Sequence, residues 1–117
     1  MKKILIVEDE AHQRLLYDHI LANEGYDIAT AANYDEAIDL VGRNAFDLAV
    51  VDLKLEEETG LNAIQEILTI NKETKIVIHT SYSEYKQDMQ AWSADAYIVK
   101  SSDTDELIKA IHNLLDE

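Results

Sequence analysis

A chain of 117 residues, 47% of them apolar, can pack one core, and without cysteine it forms neither disulfides nor thiolate metal sites. A formal net charge of −14 argues against direct nucleic-acid binding, which needs clustered Lys and Arg, and favours solubility and cationic partners. The first apolar run, Ile4 to Val7, stops at acids too soon for a signal peptide, and nothing approaches a membrane span, so the cytoplasm is the expected location.

Strand-like and helix-like patterns alternate along the whole chain. Residues 3–8 read as a strand. Leu15, Leu16, His19 and Ile20 then share a predicted helical face, and Gly25 ends that helix. Residues 27–31 form a weaker strand, and Asn33 with Glu36 makes a capping box for a helix carrying Ala37, Ile38 and Val41. Residues 47–52 are the third strand. Gly60 opens a helix with Leu61, Ile64, Ile67 and Leu68, and residues 75–80 are the fourth strand. A helix near 83–92, with Met89 and Trp92 three apart, has more polar than apolar residues. Residues 96–100 form the fifth strand. The last helix is expected to begin at Asp103, with Glu106 three residues later, and carries Leu107, Ile108, Ile111, Leu114 and Leu115. Continuous apolar strands between amphipathic helices predict an α/β fold, a parallel five-stranded sheet covered on both faces, with residues 1–117 forming one domain.

The strands share a feature: each apolar run ends on polar chemistry. Ile4-Leu5-Ile6-Val7 meets Glu8-Asp9-Glu10, Leu48-Ala49-Val50-Val51 meets Asp52, Ile76-Val77-Ile78 meets His79-Thr80-Ser81, and Tyr97-Ile98-Val99 meets Lys100. Ligands in open parallel sheets bind beyond the carboxyl ends of the strands. If the first and third strands are neighbours, about 4.8 Å apart, Asp9 and Asp52 reach a single ion, and a lysine covers much of the roughly 10 Å from a fifth strand. Glu8, Asp9 and Asp52 against Lys100 leave two negative charges, which a divalent ion would cancel. An all-oxygen set favours Mg2+, Mn2+ or Ca2+ over zinc and suits phosphoryl chemistry on a carboxylate.

Taken in order, Glu8-Asp9 after the first strand, Asp52 closing the third, Gly60 eight residues on, Thr80 closing the fourth, Lys100 closing the fifth and Tyr97 three before it resemble the receiver domain of bacterial two-component response regulators. The resemblance covers essentially the whole chain. It implies a three-layer, flavodoxin-like (βα)5 domain with strand order 2-1-3-4-5. It implies Asp52 as acceptor of a phosphoryl group from a sensor histidine kinase or phosphotransfer protein. Mg2+, with Mn2+ as a substitute, would be held by Asp9, Asp52, Glu8 and the backbone carbonyl of Lys54. Thr80 and Lys100 would each engage a phosphoryl oxygen. Thr80 moving toward that group, with Tyr97 turning inward behind it, would alter the face of the fourth helix, fifth strand and fifth helix that downstream output proteins read. A monomer, or a homodimer formed on phosphorylation, is compatible with this.

Four positions depart from the family pattern. Ser101 replaces the proline after the lysine, where the bond is usually cis; a cis bond before serine costs about 2.5–4 kcal/mol, so either the fold carries that cost or the bond is trans and Lys100 sits differently. Glu56 replaces a proline within Glu56-Glu57-Glu58, Ser93 replaces a glycine, and Lys54 adds a cation two residues after Asp52, where it would block attacking water. Blander readings stand beside these: strand-end acids as helix caps, Thr80 and Tyr97 as ordinary strand residues, Trp92 with Met89 as core, the three glutamates as a solvated loop, and His12 on a helix surface. His79 points away from Thr80 if the strand alternates.

Two other functions compete with the switch. One is a pseudo-receiver that never takes phosphate and serves as an interaction module. The other is a Mg2+-dependent phosphatase, which would want a second acid near the nucleophile; the position two after Asp52 is Lys54. The chain ends with its last helix, so it is expected either to act by protein contact or to be a fragment of a larger regulator.

Overall fold

The computed structural model describes residues 1–55, 59–88, 92–101 and 103–116, the side chain of Gln87 excepted. Five parallel strands, β1 (Lys3–Val7), β2 (Asp27–Ala31), β3 (Leu48–Val51), β4 (Lys75–Thr80) and β5 (Ala96–Val99), form one sheet in the order β2-β1-β3-β4-β5. Among the described residues the α-helices are α1 (Ala11–Asn23), α2 (Tyr34–Arg43), α3 (Gly60–Ile70) and α4 (Asp105–Leu115). No helix among the described residues is long and apolar enough to cross a membrane.

Alternation along each strand sends side chains to two cores. Leu5, Val7, Ala49, Val51, Ile76 and Ile78 meet Ala37 and Val41 of α2 and Ile64 and Ile67 of α3. Ile4, Ile6, Leu48, Val50 and Val77 meet Tyr17 and Leu21 of α1 and Leu107 and Ile111 of α4. Each fully buried branched side chain is worth roughly 1.5–3 kcal/mol of burial. The three-layer expectation is met because both strand faces are apolar.

The helix ends show local chemistry. Asn33 accepts the N–H of Glu36 at 2.9 Å, while Glu36 reaches back to the N–H of Ala32, one residue before the partner a capping box would use. Gly25, at φ +97°, lets the chain turn out of α1. Thr59 caps α3 by accepting from Asn62 N–H.

Three expectations need correction. Leu15 and Leu16 are 69% and 48% exposed and His19 is exposed; α1 instead buries Tyr17 and Leu21. Apolar residues lie around most of that helix, so hydrophobicity alone selects no face; Tyr17 sets the orientation by packing edge-on against His79, ring centroids 4.8 Å apart. The last helix starts at Asp105, because Asp103 turns its carboxylate onto the Asp105 N–H at 2.9 Å. An α-helix is expected over 83–92; over 83–88 the described residues hold a 3-10 turn, Lys86–Asp88, instead, and residues 89–91 of that expectation lie outside the described residues. Residues 81–86 and 88 are all exposed, and Tyr85 packs on both Tyr82 and Trp92 at the surface, so the described part of this segment buries no apolar face against the sheet. Met89 and Glu56-Glu57-Glu58 lie outside the described residues; Trp92 is half-buried against the α2/α3 core.

Candidate functional site

Strand register assembles the site. Val7 pairs with Val51, and Thr80 with Val99. The residues that follow, Glu8, Asp52 and Lys100, therefore leave the sheet at one rim. Asp52 donates its N–H to Val7 carbonyl at 3.2 Å, and Lys100 donates its N–H to Thr80 carbonyl at 2.7 Å. These bonds extend the ladders one residue past the strands and hold the bases of both side chains.

The Lys100 ammonium donates to Asp52 Oδ2 at 2.8 Å, to Glu8 Oε1 at 2.6 Å and to Gln13 Oε1 at 2.6 Å. An ammonium has three protons, and all three are used. Asp52 Oδ1 accepts the N–H of Lys54 at 3.1 Å, and Glu8 Oε2 accepts the N–H of Glu10 at 3.1 Å. Glu8 and Asp52 are buried, at 3% and 7% exposure, and Asp9 is half-buried.

Burial acts in opposite directions on the two charge types. It pushes the Glu8 carboxyl above its ordinary value, and the hydrogen bond from Lys100 only partly offsets this. It pulls the Lys100 ammonium down, but hydrogen bonds to Asp52 and Glu8 outweigh it and leave the ammonium above its ordinary value. Desolvation dominates at the acid, and pairing dominates at the base, which has two carboxylates to draw on.

Glu8, Asp9 and Asp52 can each offer a carboxylate oxygen, all within 4.8 Å of one another. Three carboxylates against one ammonium leave two negative charges in a partly buried cleft. This all-oxygen set, with room for ligand exchange, suits a hard divalent ion such as Mg2+.

Asp52, Lys54, Thr80, Ser81 and Tyr82 line a cleft of about 210 Å³. Thr80 is fully buried, and its hydroxyl accepts the N–H of Tyr82 at 3.4 Å. Tyr97 is turned inward, 3% exposed, with its hydroxyl donating to the carbonyl of Tyr82. Thus Glu8, Asp9, Asp52 and Lys100 are brought together, Lys54 and Thr80 stand at the cleft beside them, and Tyr97 lies behind. His79 packs on Tyr17, in the core opposite Ile78. The Lys100–Ser101 bond is trans, as are the other peptide bonds among the described residues, and the ammonium still reaches Asp52; the Ser101 hydroxyl turns to Asp103 instead.

Two residues of the site escaped the sequence reading. Gln13 accepts from Lys100. Arg14 donates to the carbonyls of Glu8 at 2.8 Å and Asp9 at 3.4 Å, tying down the loop that carries the acids. Their place in the first turn of α1, four and five residues past Asp9, was the available signal.

The response regulator receiver domain family model matches residues 4–112. The chain is 30% identical over 116 residues to sporulation initiation phosphotransferase F of Bacillus subtilis (strain 168), covering 97% of this chain and 94% of that protein. It is similar to the response regulator protein TrrA of Thermotoga maritima in complex with Mg2+-BeF, with TM-score 0.91 and 40% identity over 98% of this chain and 100% of that one. A structure of histidine kinase ThkA in complex with TrrA also matches, with TM-score 0.88 and 41% identity, over 98% of this chain and 99% of that one.

Proposed function

The chain belongs to the response regulator receiver domain family, and from that membership we propose that residues 1–117 act as one phosphorylatable receiver domain with Asp52 as the phosphoacceptor. The observation that carries the reading is the meeting of Lys100 with both Asp52 and Glu8 at one sheet rim, with Asp9 and Thr80 beside them.

In the proposed step a carboxylate oxygen of Asp52 attacks the phosphorus of a phosphohistidine. An O–P bond forms, the P–N bond breaks, and its electron pair returns to the imidazole. A Mg2+ or Mn2+ ion held by Asp9, Asp52, Glu8 and the Lys54 carbonyl would screen the anionic donor from the nucleophile. Lys100 supplies a fixed positive charge for one phosphoryl oxygen, and the Thr80 hydroxyl can donate to another. The new charge then favours one of two packings of the segment after β4, β5 and α4, which is what a downstream partner reads. Tyr97 and its bond to Tyr82 belong to that relay.

A sensor histidine kinase is the donor this reading assigns, supported by the complex of ThkA with the related TrrA. Leu15 and Leu16, exposed on the helix that carries Gln13, offer such a donor an apolar contact. The cytoplasm is the proposed compartment.

Incubation with Mg2+ and acetyl phosphate, followed by intact-mass spectrometry, tests the proposal. One phosphate adduct is expected in the native protein and none in Asp52→Asn. Absence of any adduct would favour a non-phosphorylated interaction module, and sustained turnover of a phosphomonoester would favour a phosphatase.

A further inference from the structure

Of the three acceptors around the Lys100 ammonium, two are acids that phosphorylation must re-partner. Asp52 gains a phosphoryl group, and Glu8 is one of the carboxylates offered to a cation. The third, Gln13 Oε1 at 2.6 Å, is a neutral amide oxygen on α1 with no such duty. Its backbone is itself held, because the Gln13 N–H donates at 3.0 Å to the Glu10 carboxylate that caps the helix. Lys100 needs such a hold: its ammonium sits on a flexible four-carbon stem with large rotamer freedom, and the residue that follows is a serine in a trans linkage.

We propose that Gln13 is a positioning residue for Lys100, keeping the ammonium oriented in the cleft while Glu8 and Asp52 exchange partners during phosphoryl acceptance. The inference rests on Asp52 being the phosphoacceptor. Charge explains why an amide serves better than an acid here. A carboxylate at position 13 would hold the ammonium as firmly, but it would add a fourth negative charge beside Glu8, Asp9 and Asp52, where an anionic donor must approach. An apolar side chain would leave the third ammonium proton without an acceptor.

The test compares the native protein with Gln13→Leu, Gln13→Ala and Gln13→Glu, each first checked for native folding by circular dichroism and thermal melting. The side-chain nitrogen signals of 15N-labelled lysine report ammonium order directly, and Lys100→Arg assigns the Lys100 signal. The native protein and Gln13→Glu are expected to show a resolved, slowly exchanging Lys100 ammonium, and Gln13→Leu and Gln13→Ala to lose it. With acetyl phosphate and Mg2+, the maximal rate of Asp52 phosphorylation is expected to fall about tenfold in Gln13→Leu and Gln13→Ala, the loss of one hydrogen bond to a charged group. The half-saturating donor concentration should stay within about twofold, because Gln13 holds Lys100 and not the donor. Gln13→Glu should keep the ammonium signal yet accept phosphate more slowly. Native rates in Gln13→Leu and Gln13→Ala, with or without loss of the ammonium signal, would overturn the positioning role while leaving the phosphoacceptor reading intact. A native protein that takes no phosphate removes both.

Discussion

A Cβ added at Gly60 would stand 2.0 Å from the carbonyl oxygen of Asp52 and 2.8 Å from its carbonyl carbon. The first residue of α3 is thus pressed against the backbone of the proposed phosphoacceptor, and the Gly60 N–H donates to Leu53 carbonyl at 2.9 Å to hold it there. Both contacts are with backbone, so no side chain can rotate away to make room. Gly60→Ala should exceed ordinary overpacking and destabilise the fold by about 3 kcal/mol or more. It should also impair phosphate uptake, because relief of the overlap must move Asp52. A denaturation midpoint close to native would show that the loop yields without cost.

His79 is buried, and its imidazole is pulled down to about 4, first by desolvation and then by the nearby Lys100 charge. The unfolded chain binds this proton near 6.5 and the folded one only near 4, so the unfolded state gains protons first as pH falls. Stability from neutral His79 is therefore complete above about pH 6.5 and is lost between there and about pH 4, by something on the order of 3 kcal/mol. His79→Phe keeps a ring against Tyr17 and should flatten the acid limb of the stability curve through that window. An unchanged slope would mean that His79 is protonated in the folded state without penalty.

His112 titrates with the opposite sense. Its Nδ1 meets Asp116 and lies 2.8 Å from the Tyr26 hydroxyl, while its Nε2 meets Glu24 at 2.8 Å. Hydrogen bonds to Asp116 and then Glu24 raise its pKa above the ordinary 6.5. The folded state therefore keeps the proton longer than the unfolded one. The stabilisation is full below about pH 6.5 and fades as pH rises through the folded value. The side chain is 37% exposed, so solvent weakens the effect. Thermal melts from about pH 6 to about pH 8 should show this loss in the native protein and not in His112→Gln.

Ser93 adopts φ +60°, the left-handed region that disfavours a side chain. The receiver-domain resemblance implies a glycine here, and this backbone conformation suits one. Ser93→Gly should relieve roughly 1 kcal/mol, less a few tenths for the added freedom of the unfolded chain. Urea denaturation at fixed pH checks it, and a destabilised variant would count against the backbone account.

Lys54 is exposed and lines the cleft with Asp52, Thr80 and Tyr82. If its side chain obstructs water approaching a phosphoryl group on Asp52, Lys54→Ala should shorten the phosphoryl lifetime about threefold, near 0.6 kcal/mol in barrier. Decay of the phosphorylated mass in excess EDTA measures it, and equal rates would remove the idea.

Much of this protein was legible in the order of its residues. Apolar runs that stop on Glu8, Asp52, Thr80 and Lys100 follow directly from a parallel sheet, whose buried strands must be apolar and whose ligand-facing ends need not be. The same patterns located α2 and α3 through Ala37, Val41, Ile64 and Ile67, because one face of each helix is clearly richer in apolar side chains. Where that contrast fades, local sequence lost its power. Apolar residues around most of α1 left its buried face to be chosen by the fit of Tyr17 against His79, and the described part of the stretch at 81–88 buries no apolar face against the sheet. The contacts of side-chain tips were likewise beyond reach. That Gln13 shares an ammonium with Asp52 and Glu8, or that Gly60 must lack a Cβ because of Asp52, depends on distances between segments remote in sequence. Periodicity decides which elements form and which ends are polar; only the docking of helix on sheet decides which polar tips meet.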